Sequence, residues 1–67
     1  MKELDIVKLT SSYKNIAEGT EGTIVIDYDD DTCEVEFFDS NGDTIKVIAV
    51  PKKLLELVWV FSDNELL

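Results

Sequence analysis

The residues able to do chemistry are few. They are one thiol, Cys33, a run of carboxylates at Asp27, Asp29, Asp30 and Asp31 with Glu34 close behind, and a second acidic stretch, Asp39-Ser40-Asn41-Gly42-Asp43. Histidine is absent, which removes nucleophilic catalysis of the Ser–His and Cys–His kinds. Cys33 has Asp31 and Glu34 for neighbours, and nearby negative charge opposes a thiolate. It reads as a buried strand residue. One thiol without histidine cannot build a tetrahedral zinc site. Clustered carboxylates can hold Ca²⁺ or Mg²⁺, but the Asp-x-Asp-x-Asp-Gly spacing of an EF-hand loop is not met. Weak adventitious binding is the most these loops predict. General acid–base work needs a concave site that raises one carboxyl pKa, and aspartates at loop tips do not have one. Gly19-Thr20-Glu21-Gly22 lacks the following helix and the lysine of a phosphate-cradling loop. Its glycines suit a tight turn and a strand start where a Cβ would clash. No catalytic residue, metal site or cofactor site is predicted, and the chain does not read as an enzyme.

What remains is surface. Fifteen acidic residues stand against six lysines, with no arginine, for a formal charge of −9. Such a field repels nucleic acid; Lys52 and Lys53 are the only local basic patch. The charge serves solubility, and it also suits docking onto a basic protein. Two groups are candidates for that contact: the acidic Asp29, Asp30, Asp31, Glu34 and Glu36, and the aromatic Phe38, Trp59 and Phe61. Phe38, Ile48, Val50, Trp59 and Phe61 are too many to fit inside one small core, and surplus apolar surface marks contacts or capped ends.

The elements that position these residues are short strands. Sixty-seven residues make one domain, and a lone cysteine leaves no intramolecular disulfide to staple it. That single thiol suits a reducing compartment. No leader-like opening or membrane-length apolar run occurs, so a cytoplasmic setting is expected. Leu4–Leu9 predicts a first strand with Val7 and Leu9 on one face. Tyr13 and Ile16 anchor a connector with at most one helical turn. Thr23–Tyr28 predicts a central strand with Ile24 and Ile26 on one side and Val25 on the other. Cys33–Phe37 alternates, with Cys33, Val35 and Phe37 inward and Glu34 and Glu36 outward. Asn41-Gly42 is a strong hairpin signal. Thr44–Val50 returns, Pro51 ends it, Lys52–Leu54 suits a 3₁₀ turn, and Leu57–Phe61 is the last strand.

The expected fold is all-β: a closed, small five-stranded SH3-like barrel over residues 1–61 with a 3₁₀ turn before the last strand. Its core is drawn from Val7, Ile24, Val35, Phe37 and Ile45. Residues 62–67 form a C-terminal tail. An OB-fold is the alternative, but it needs longer strands and a helix where only Asn41-Gly42 stands.

Four stretches carry a resemblance: Asp5-Ile6-Val7-Lys8-Leu9; Gly19 with Gly22-Thr23-Ile24-Val25; Glu34-Val35-Glu36-Phe37-Phe38-Asp39; and Asn41-Gly42-Asp43-Thr44. Over residues 4–58 the chain resembles the bacterial domain-of-unknown-function family 4926. Glu21 stands where that pattern has an apolar residue, and the end beyond Trp59 lies outside the match. The resemblance implies an SH3-like fold, a bacterial setting and a toxin–antitoxin or immunity neighbourhood, and it carries over no catalytic residue. The expected function is therefore a non-catalytic acidic protein-binding module, of antitoxin or immunity type, that holds a basic toxin. The alternative is a structural accessory or self-assembling subunit of a larger complex. The expected partners are a basic protein or a second copy, with no direct nucleic acid and no membrane.

Overall fold

A computed structural model describes residues 1–60. Five strands and one 3₁₀ turn follow in chain order: β1 Ile6–Leu9, β2 Glu21–Asp27, β3 Thr32–Phe38, β4 Thr44–Pro51, η1 Lys52–Leu54 and β5 Leu55–Trp59. All neighbours are antiparallel, in the spatial order β4-β3-β2-β1-β5. The fold is all-β, with the 3₁₀ turn ahead of the last strand as expected. The closed barrel is not what forms: among the described residues β4 and β5 are the two ends of one open sheet, with no ladder between them.

The sheet nevertheless coils. In a flat sheet β4 and β5 would lie about 19 Å apart, four spacings of about 4.8 Å. Only the three residues of η1 join them, and a 3₁₀ turn rises about 2 Å per residue. The sheet must curl until its ends nearly meet. The link is tied down on both sides. Lys52 N–H donates to the Asp31 carbonyl at 2.8 Å, and the Leu54 carbonyl accepts from Thr10 N–H at 2.8 Å and Thr10 Oγ1 at 3.1 Å. The Lys52 ammonium reaches Asp27 Oδ1 at 2.6 Å. That carboxylate raises the lysine pKa above its ordinary value.

Inside the curl lie Val7, Leu9, Ile16, Ile24, Cys33, Val35, Phe37, Val50 and Leu55. Full burial of such side chains contributes roughly 1.5–3 kcal/mol each. The alternation of β1 and β3 holds as predicted. Ile45 does not join the core; it is 48% exposed. The cause is a bulge: Phe37 faces Lys46 and Phe38 faces Thr44, so Ile45 is the extra residue, and an extra residue breaks the ladder locally. Val50, read from sequence as surplus, is fully buried, and Ile48 packs against the core. A second bulge corrects β2. Ile24 faces Val35 but Ile26 faces Glu34, with Val25 between them, so Ile26 leaves the core side for the outer face.

The connectors also differ in detail. Tyr13 and Ile16 exchange two backbone hydrogen bonds of 2.9 Å, and Lys14 and Asn15 adopt φ of 47° and 69°. That is a two-residue hairpin turn with positive φ at both central positions, not a helical turn. Asn41-Gly42 does sit in a hairpin, but the loop is longer than two residues. Gly42 N–H donates to Asp39 O and Asp39 N–H to Asp43 O, both at 2.9 Å, with Gly42 at φ 86°. Asp39 Oδ1 also accepts the amides of Asn41 and Asp43. Asp29 Oδ1 does the same for Asp31 and Thr32 in the preceding hairpin. Among the described residues no helix is long and apolar enough to cross a membrane.

At Gly22 the β2 backbone lies close against β3. A Cβ there would lie 2.6 Å from Val35 Cγ1 and 2.7 Å from the Glu36 carbonyl oxygen. Gly22→Ala is expected to lower the free energy of urea unfolding by about 1–3 kcal/mol through overpacking. Gly42→Ala meets no atom within 4 Å. Its loss comes from the left-handed backbone alone, about 1 kcal/mol.

Candidate functional site

The antiparallel ladders align side chains into rows across the sheet, because directly opposed residues share a face. One row runs Val47–Glu36–Thr23–Ile6–Trp59, from β4 to β5. The next runs Ala49–Glu34–Ile26. Both rows lie on the outer face, since their chain neighbours Val35, Phe37, Ile24 and Val7 point into the core. The outer face is thus a strip of two glutamates set among apolar side chains. Ile26, Tyr28, Val47 and Trp59 are 40%, 51%, 48% and 46% exposed.

Two hydrogen bonds hold the glutamates in place. Tyr28 Oη donates to Glu34 Oε1 at 2.8 Å, and Thr44 Oγ1 donates to Glu36 Oε2 at 2.6 Å. Among the described residues the ion pairs are Lys2–Asp5, Lys8–Glu56 and Lys52–Asp27. None neutralises the strip. The bond to Glu34, with burial and the carboxylate's charge behind it, raises the Tyr28 pKa above 10.0.

Of the residues singled out from sequence, Glu34, Glu36 and Phe38 alternate along β3 and so share the outer face. Trp59 is on that face too, but three strands away, about 14 Å along a flat sheet. Asp29, Asp30 and Asp31 cap the β2–β3 end, and the Asp29 carboxylate is engaged in its own turn. Phe61 lies outside the described residues, as does the expected tail 62–67. Among the described residues no three acidic or thiol side chains gather as cation ligands. Cys33 is fully buried opposite Val50, and desolvation raises its pKa; it is a core residue.

Sequence reasoning missed three exposed members of the face, Ile26, Tyr28 and Val47, and one structural carboxylate. Asp5 is only 2% exposed and accepts from the Lys2 amide and ammonium, both at 3.0 Å. The Lys2/Asp5 spacing was its only signal. Ile26 gave none, because a bulge leaves no mark in a run of β-branched residues.

The fold and its outer face define a small acidic all-β domain whose outer face carries a strip of two glutamates among apolar side chains. A family profile described as a domain of unknown function (DUF4926) matches residues 3–57. The chain belongs to that family. Comparison with curated proteins and with solved structures found no match.

The tyrosine bond is open to measurement. In a Tyr13→Phe background the phenolate absorbance of Tyr28 is expected to titrate above 10.0, its ordinary value. Glu34→Gln should bring the midpoint back toward that value. Because the folded pKa is the higher one, the stabilisation by this bond is complete below the unfolded value and is lost as pH rises through the folded one.

Proposed function

We propose that the domain is a non-catalytic binding module whose outer face docks on a basic protein, as an antitoxin or immunity protein does on a toxin. The observation that carries this reading is the strip itself. Glu34 and Glu36 are fixed by Tyr28 and Thr44, lack a cationic partner among the described residues, and are bordered by exposed Ile26 and Val47. Fixed charges need no reordering on docking, and exposed apolar neighbours supply area that contact can bury. A net charge of −9 adds long-range steering toward a cationic partner. An SH3-like, bacterial and cytoplasmic protein fits this reading, with its single thiol buried in the core.

The double variant Glu34→Gln/Glu36→Gln tests it. Both residues are on the outer face, so the fold is expected to survive. Affinity capture from native cells should recover a basic protein with the parent chain, less of it at raised salt, and little with the double variant. Equal recovery by both chains would sink the proposal.

A second reading has its own observation. Beyond Leu55 the chain runs past the core: Leu57 and Val58 of β5 and the following Val60 are 41%, 45% and 44% exposed at an end of the sheet. Exposed apolar end strands favour edge pairing, which suits a self-assembling subunit. On this reading light scattering gives twice the monomer mass at high concentration, and Val58→Lys restores the monomer. A monomer throughout removes it.

A further inference from the structure

At the β3–β4 hairpin end of the outer face the acidic strip runs into a groove of about 390 Å³. The bulge at Ile45 and the turn at Gly19 shape it. Phe38 and Ile45 give apolar surface, Glu21 and Asp39 bring carboxylates, and Thr20 and Ser40 complete the wall. Among the described residues no cationic side chain lines the groove. Lys8 stands opposite Glu21 across the β1–β2 ladder, but its ammonium is 3.7 Å from Glu56 on the far side. Asp39 is held in place by the two amides that its Oδ1 accepts.

We infer that this groove receives an arginine side chain of the basic partner. The inference rests on the docking reading above and names the contact it would make. An arginine has an aliphatic stem that packs on apolar surface while its charged head stays in contact with polar groups. Its planar guanidinium offers donors in a fork to more than one acceptor and sits well against an aromatic ring. A lysine is more strongly hydrated and presents a single point charge, so it gains less from a Phe38 and Ile45 surface. Anions are repelled by Glu21 and Asp39, and a purely apolar side chain would leave those carboxylates facing it. The shape, the apolar floor and the sign of charge all suit the same side chain.

Acetylated octa-arginine and octa-lysine amides are suitable probes, titrated at equal ionic strength into the isotopically labelled full chain. Amide shifts should saturate with octa-arginine, be largest at Thr20, Glu21, Ser40 and Ile45, and report tighter binding than octa-lysine. Glu21→Gln and Ile45→Ser alter exposed positions, and circular dichroism checks that both variants remain folded. Each should weaken octa-arginine binding by about two- to fivefold, the range of a partly exposed charged contact. Saturable shifts confined to the Glu34 and Glu36 region, or equal binding of the two peptides, would overturn the groove assignment and leave the acidic-strip reading standing. No saturable shift anywhere would overturn both.

Discussion

Three residues set the shape of this molecule. Lys52–Leu54 must carry the chain from one end of the sheet order to the other, and that span is too short unless the sheet coils. The coil creates an inside for a chain that could not cover both faces of a flat sheet. It lets nine apolar side chains leave water together, with no disulfide to help. The anchors at Asp27, Asp31 and Thr10 tie the link to the β2–β3 hairpin and to the end of β1. Coiling and core formation are therefore one event.

The outer face follows from the same constraint. A sheet with one filled face has another that must live in water, and this one carries a glutamate pair amid apolar side chains. Gly22 contributes from within. With no Cβ it lets β2 lie close against Val35 and the β3 backbone. The charge total belongs to the whole chain, while the local arrangement on β3 sets two glutamates among exposed apolar side chains. Lys8 pairs with Glu56 and Lys52 with Asp27, leaving the carboxylates of β3 without a cationic neighbour among the described residues.

Much of this was legible in the residues. Cys33, Val35 and Phe37 alternate with Glu34 and Glu36, so the faces of β3 could be read directly, and Pro51 marked the end of β4. The 3₁₀ turn before the last strand was visible as a short polar break between two apolar runs. Three things were not. Ile26 and Ile45 fell on the wrong side because register slips by one at bulges, and a run such as Ile24-Val25-Ile26 has no residue that announces one. Sheet closure was overestimated because strand count says nothing about whether the end strands exchange hydrogen bonds. The groove beside Phe38 joins Thr20 and Glu21 to Asp39 and Ile45, and only the ladder register brings those segments together.

The bulge at Val25 also bears on how relatives of this chain can differ in length. In an unbroken strand, removing one residue reverses every side chain beyond the cut. Here the supernumerary residue is already outside the pairing scheme, with Ile24 facing Val35 and Ile26 facing Glu34. Losing it would leave both partners where they are and simply regularise the ladder. Single-residue gaps in an alignment of the family can therefore fall at this point, or at Ile45, without turning the protein inside out. Elsewhere in β2 and β3 the same gap would exchange the interior for the surface.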